Sequence, residues 1–149
     1  MRYQLIALAI VAAGLQPLAH AAADPVKVTL LRNPNCGCCN VWADYMKGQG
    51  FEVVRVDTYD MASVKTKYGV PARLEGCHTA LVGRYVVEGL VPADLIRRVL
   101  NENRPIKGIA LPGMPSGAPG MPGMPGMKMG PLDVYYISDS PTPNKFASF

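Results

Sequence analysis

Residues 111–131 consist almost entirely of proline, glycine and methionine, and this stretch limits where a packed domain can lie. Proline removes backbone N–H donors and glycine leaves no side chain to pack, so a regular helix or a central strand is excluded. The Pro-Gly-Met triplets resemble collagen, but their register breaks at Ser116-Gly117 and the run is too short for a triple helix. We therefore predict a Pro/Gly/Met-rich loop over residues 105–131, preceded by one domain in residues 24–104.

The N-terminus has the pattern of a cleavable secretory signal. Arg2 precedes an apolar run over residues 5–15, and small residues follow up to position 23. A membrane anchor is the alternative, but a spanning helix needs roughly 20 apolar residues. A glutamine and a proline interrupt this run at positions 16 and 17. We predict that residues 1–23 are a signal peptide cleaved after Ala21 or Ala23, which leaves an exported protein without a membrane segment.

Apolar periodicity divides residues 24–104 into strands and helices. The predicted elements are a strand at 26–31, a helix directly after residue 39, a strand at 51–56, a helix at 58–68, a hairpin of strands 79–82 and 85–87, and a final helix that begins at Pro92. This order, βαβ followed by ββα, predicts an α/β, thioredoxin-like fold. Within residues 132–149, the pattern predicts a short strand at 132–137 and a loose tail at 142–149.

Three of the four cysteines, Cys36, Cys38 and Cys39, fall within four residues at the junction of the first strand and helix. Unpaired N–H groups and the helix dipole lower the pKa of thiols at a helix N-terminus. The thiolate form serves both disulfide exchange and metal ligation, so Cys36 and Cys39 alone leave these two functions open. Two structural disulfides are a third interpretation, but they would cluster at one helix end instead of joining distant loops.

The third cysteine favours a metal over simple redox chemistry. A dithiol oxidoreductase needs two sulfurs, and Cys38 would compete by forming other disulfides. A soft ion such as Cu(I) gains from every added thiolate, and several sulfurs can bridge more than one ion. Gly37 lets the backbone bend closely around such an ion.

Cys77 and His78 come directly before the predicted third strand. In a thioredoxin-like fold, the residue at that position faces the dithiol across a groove and is usually a cis-proline. Matching residues 76–81 to the start of that strand places Cys77 or His78 at this position. A fourth sulfur, and the one histidine that remains after signal cleavage, would then point at the cluster. We predict Cys36, Cys38, Cys39 and Cys77 as ligands, with His78 as a ligand or a supporting residue.

The methionines of the loop are candidate auxiliary ligands, because a thioether is a soft donor that needs no deprotonation. They are Met114, Met121, Met124, Met127 and Met129. A disordered linker without function is the alternative. The net charge of +4 is scattered without a Lys/Arg run, which indicates no nucleic-acid partner and no anionic membrane surface.

The sequence resembles the CopG-like family of exported, copper-associated proteins, long carried as a domain of unknown function and unrelated to the ribbon-helix-helix repressor of the same name. The matching stretches are residues 28–39, 68–81, 86–100, 109–119 and 133–135, which include the C-x-C-C and C-H-T-A motifs. The resemblance implies a thioredoxin-like fold, a periplasmic location and a role in copper handling or resistance. By motif position, it makes the four cysteines the cluster ligands, with His78 nearby and Met114 in the family's P-G-M-P segment.

Two functional hypotheses follow. The first is a periplasmic protein that binds Cu(I), with more than one ion expected, for copper sequestration, transfer or resistance. Its partners would be copper ions and other periplasmic copper-handling or efflux proteins, without nucleic acid or membrane. The alternative is a thiol or copper oxidoreductase that uses Cys36 and Cys39.

Overall fold

A computed structural model describes residues 24–121, 123 and 130–149 of the chain. The predicted signal peptide, residues 1–23, lies outside these residues. No helix in the described ranges is both long and apolar enough to cross a membrane.

The first half of the chain forms the predicted βαβ unit. Strand β1 (Lys27–Arg32) is followed by helix α1 (Gly37–Gly48), strand β2 (Glu52–Asp57) and helix α2 (Met61–Lys67). Val28 and Leu30 alternate inward on β1, while Trp42 and Met46 lie one turn apart on the buried face of α1. Strand β2 pairs in parallel with β1, as the intervening helix requires.

A hairpin and a third helix complete the predicted fold. Strands β3 (Thr79–Val82) and β4 (Tyr85–Glu88) pair antiparallel, and β3 also lies antiparallel to β1. Helix α3 (Ala93–Glu102) buries Leu95, Ile96 and Val99 and ends at Asn103, which adopts the left-handed conformation. The sheet order β2-β1-β3-β4 confirms the thioredoxin-like arrangement.

The sheet then continues beyond the predicted domain. Strands β5 (Gly108–Ala110), β6 (Asp133–Tyr136) and β7 (Lys145–Ser148) extend it to seven strands in the order β2-β1-β3-β4-β5-β6-β7. Strand β5 lies parallel to β4, while β6 and β7 pair antiparallel. The short strand expected at 132–137 is confirmed by β6.

Two expectations about the C-terminal part were wrong. Residues 142–149 are not a loose tail, because β7 pairs with β6 and Phe146 is buried edge-on against Tyr136. The 105–131 segment is not loop throughout, because β5 lies within it. A Cβ atom at Gly108 would come within 1.8 Å of the Val86 carbonyl oxygen, so a glycine there lets β5 approach β4.

Candidate metal centre

The cysteine cluster lies where β1 gives way to α1, as predicted. Cys36 is the N-cap residue of α1, and its Sγ accepts a hydrogen bond of 3.3 Å from the backbone N–H of Cys39. A cap side chain of this kind satisfies one of the N–H groups that a helix start leaves unpaired. Cys39, in the first turn of α1, is buried, whereas Cys36 and Cys38 are half-buried.

Cys77 reaches the same place from the segment before β3. The Sγ of Cys39 lies 3.9 Å from the Cys77 carbonyl oxygen, and the sulfurs of Cys36 and Cys38 are 3.4 Å apart. The four Sγ atoms of Cys36, Cys38, Cys39 and Cys77 all lie within 4.8 Å of one another. Four cysteine sulfurs without a carboxylate in the group form, once reduced, a donor set that suits a soft ion such as Cu(I) better than a hard cation.

One disulfide is present within this cluster. Cys36 and Cys39 are bonded, with their Cα atoms 5.3 Å apart, while Cys38 and Cys77 are free thiols. The alternative of two structural disulfides is therefore not what the chain adopts. Reduction of this one bond makes all four sulfurs available to a metal.

The thiol of Cys77 is held in its protonated form. Burial raises the pKa of Cys77 well above its ordinary value, and the neighbouring Cys38 raises it further. Ligation needs the thiolate, so a bound cation has to displace this proton. Metal uptake at Cys77 should therefore release a proton and strengthen as the pH rises.

His78 lies beside the cluster and is not one of the four clustered donors. Its ring is fully buried, 4.4 Å from the ring of Trp42, and its Nδ1 is 3.2 Å from the Sγ of Cys77. Its Nε2 has no hydrogen-bond partner among the described residues. Burial, followed by the charge of Lys65, lowers the pKa of His78 to about 3, so the imidazole is neutral. Of Cys77 and His78, it is therefore Cys77 whose side chain joins the Cys36–Cys39 pair.

The methionines of the loop occupy different places. The Sδ of Met114 lies 3.9 Å from the Sγ of Cys38, and its side chain is exposed. Met121 is half-buried and packs on the hydrophobic core. The predictions for Met124, Met127 and Met129 lie outside the described residues.

The structure also resembles known proteins across nearly its whole described length. A family described as "Protein of unknown function, DUF411" matches residues 74–121. Two solved structures of copper resistance protein CopG, form 2 and form 1, match with TM-scores of 0.74 and 0.73. Each is 34% identical in sequence, and each match covers 84% of this chain and 98% of the other. The chain belongs to this CopG-like DUF411 family. A comparison with curated proteins finds no match.

In this CopG-like chain, the Pro/Gly/Met-rich loop also packs over the start of α1. Gly120 has a φ of +95°, and a Cβ atom on it would lie 2.8 Å from the Cys38 carbonyl oxygen and 3.2 Å from the Trp42 nitrogen. Glycine is the residue that allows this approach. The sequence predicts that the loop carries methionines, but it does not predict that the loop packs against the cluster.

Sequence reasoning also missed a buried ion pair between α2 and β4. Lys65 and Glu88 are both buried, and the Lys65 Nζ donates a hydrogen bond to Glu88 Oε1. Burial raises the pKa of Glu88, and Lys65 opposes that rise. The available signal was a glutamate at the end of an otherwise apolar strand, because charged residues are almost never fully buried unless paired.

Proposed function

We propose that this protein binds Cu(I) through Cys36, Cys38, Cys39 and Cys77 and serves copper sequestration, transfer or resistance in the periplasm. The observation that carries the proposal is the convergence of four sulfurs within 4.8 Å. Thiolates are soft donors that select Cu(I), and several of them can bridge ions, so more than one Cu(I) is expected in the reduced protein. The similar solved structures, two forms of copper resistance protein CopG, support the choice of copper.

Anaerobic titration of the reduced protein with Cu(I), in competition with a chromophoric Cu(I) chelator, tests this proposal. We expect more than one ion to be retained, and we expect Cys36→Ser and Cys77→Ser to weaken binding strongly. Asn40→Ser, one position beyond Cys39, is the matched control and should bind as the wild type does. Loss of all copper to a moderate chelator, or unchanged binding in Cys77→Ser, would refute the proposal.

The methionines of the loop are proposed to act in capture or delivery of the ion. Met114 supports this, because its side chain is exposed and its thioether sulfur lies 3.9 Å from the Cys38 sulfur. Replacing Met121, Met124, Met127 and Met129 together by leucine should slow copper transfer to a chelator more than it lowers affinity. Equal transfer rates would show that the loop is only a spacer.

A redox activity is the second candidate, and the Cys36–Cys39 disulfide favours it. Oxidation of the two thiols to the disulfide releases two electrons and two protons, which can reduce two Cu(II) ions to Cu(I) or one disulfide of another protein. Equilibration with a dithiol redox buffer measures the potential of this pair. Turnover on Cu(II) or on a disulfide substrate would establish the activity. Its absence would leave the disulfide as a resting form of the copper site.

Export is proposed from the N-terminal pattern. The mass of the protein recovered from the periplasmic fraction should correspond to a chain that begins at Ala22 or Asp24. Recovery of the full-length chain from the cytoplasm would contradict both the signal peptide and the proposed location.

A further inference from the structure

The residue directly before Cys77 is held by two buried charges. Glu88 Oε1 accepts a hydrogen bond of 2.7 Å from the N–H of Gly76, and Lys65 Nζ donates one of 3.0 Å to the Gly76 carbonyl oxygen. Both backbone groups of Gly76 are thus bound by the same ion pair. A charge-assisted hydrogen bond is roughly twice as strong as a neutral one, so the chain is anchored firmly at this point.

The same carboxylate anchors the other side of the cluster segment. Glu88 Oε2 accepts a hydrogen bond of 2.6 Å from the hydroxyl of Thr79, the first residue of β3. Cys77 and His78 are therefore the two residues between the two anchoring points of one side chain. Gly89, the residue after Glu88, also donates a hydrogen bond of 2.8 Å from its N–H to the His78 carbonyl oxygen.

The anchored residue also places the loop that carries Met114. Gly76 pairs with Gly113 in an isolated parallel bridge, and the Gly113 N–H donates to the Glu75 carbonyl oxygen at 2.8 Å. Met114 follows directly in the chain. The backbone is packed so closely here that a Cβ atom at Gly76 would lie 2.6 Å from the Cα of Gly89 and 3.0 Å from the carbonyl oxygen of Leu111, at the start of the loop. The position of Gly76 therefore sets the positions of Cys77 and Met114 together.

We propose that Lys65 and Glu88 are positioning residues that hold Cys77 and Met114 toward the other three cysteines by fixing the backbone of Gly76. This inference rests on the proposed copper function, because it assigns the buried pair to that site. A buried ion pair is often replaceable by apolar side chains without loss of stability. Apolar side chains, however, could not bind the N–H and the carbonyl group of Gly76 as this pair does.

Two double variants separate positioning from folding. Lys65→Met/Glu88→Gln removes both charges, but the glutamine amide oxygen can still accept a hydrogen bond from the Gly76 N–H. Lys65→Met/Glu88→Leu removes that acceptor as well. Loss of a residue that orients a metal ligand typically costs about 10- to 100-fold in metal affinity. We expect a loss of this size in the leucine variant and a much smaller one in the glutamine variant.

Cu(I) affinity of the reduced protein, measured by chelator competition, is the first readout. The second needs no metal. In the disulfide form only Cys38 and Cys77 are free, so the ratio of their alkylation rates reports on the Cys77 segment. We expect Cys77 to react faster relative to Cys38 in the leucine variant, because its anchored segment is released. Lys67→Met, which changes an exposed lysine of the same helix, should leave both readouts unchanged.

A folded leucine variant with wild-type Cu(I) affinity overturns the proposal, and so does an unchanged alkylation ratio. Should that variant fail to fold, Glu88→Asp takes its place, because its carboxylate is too short to reach both Lys65 and Gly76. Wild-type Cu(I) affinity or an unchanged alkylation ratio in Glu88→Asp would likewise overturn the proposal. If the wild-type protein binds no Cu(I), the proposed function fails, and the alkylation ratio alone decides whether the pair positions Cys77.

Discussion

Replacement of His78 by leucine should remove the acid sensitivity that this residue gives to the fold. The folded chain holds His78 neutral, with its pKa lowered to about 3 by burial. The unfolded chain takes up a proton on this residue below its ordinary pKa of about 6.5. The unfolded state therefore binds more protons, so the free energy of unfolding decreases as the pH falls from about 6.5 toward about 3.

The size of this effect follows from the separation of the two pKa values. One pKa unit corresponds to about 1.4 kcal/mol. Linkage then gives a loss from His78 of about 2 kcal/mol between pH 7 and pH 5, and about 3 kcal/mol between pH 7 and pH 4. Leucine carries no titrating group, so His78→Leu should lack this component.

Urea unfolding of the metal-free disulfide form at a series of pH values measures the difference. Trp42 is the only tryptophan of the chain and is buried beside His78, so its fluorescence reports unfolding of this region. Three carboxyl groups with lowered pKa values also make the folded state less stable in acid, namely those of Asp60, Glu102 and Asp133. Both proteins contain them, so their contribution cancels in the difference between the two pH profiles. Parallel pH profiles for the wild type and His78→Leu would refute the assignment of a buried, neutral imidazole.

Three further substitutions test the surroundings of the cluster. Lys65→Met leaves its partner carboxylate buried and unpaired, so urea unfolding should show a loss of about 3–5 kcal/mol, while Lys67→Met at an exposed site should stay within about 0.5 kcal/mol. Equal effects of the two would contradict the buried pair. Gly120→Ala places a Cβ atom 2.8 Å from the Cys38 carbonyl oxygen at a positive φ, so thermal unfolding should reveal a destabilisation of about 1–3 kcal/mol. Wild-type stability would show that the loop does not pack there. Met114→Leu should weaken Cu(I) binding in chelator competition, but less than Cys38→Ser, because the thioether is a neutral donor. A loss as large as that of the cysteine variant would make Met114 a core ligand.

The sequence predicts the order of elements well up to residue 104, because each of those elements carries its own apolar periodicity. Strands β5 and β7 have three and four residues, too few for a clear pattern. β5 forms by pairing with β4, and β7 forms by pairing with β6. These partners lie outside the short stretch of sequence from which a strand is predicted. The tail contains two aromatic residues, of which Phe146 is buried against the sheet and Phe149 is exposed, so an aromatic side chain alone does not identify β7.

The cluster itself could be predicted in part for a physical reason. The end of β1 and the start of β3 lie beside each other in a thioredoxin-like sheet, so Cys36–Cys39 and Cys77 meet once the fold is known. The ion pair that fixes Gly76 could not be predicted, because Lys65 and Glu88 are 23 residues apart and neither belongs to a motif.

In the reduced protein, we expect the sulfur atoms of the four cysteines to hold copper as Cu(I). X-ray absorption at the copper edge of the reduced, copper-loaded protein tests this most directly. We expect a Cu(I) edge and a first shell of sulfur ligands that loses sulfur in Cys77→Ser. A first shell dominated by nitrogen or oxygen, or a spectrum unchanged by Cys77→Ser, would contradict it.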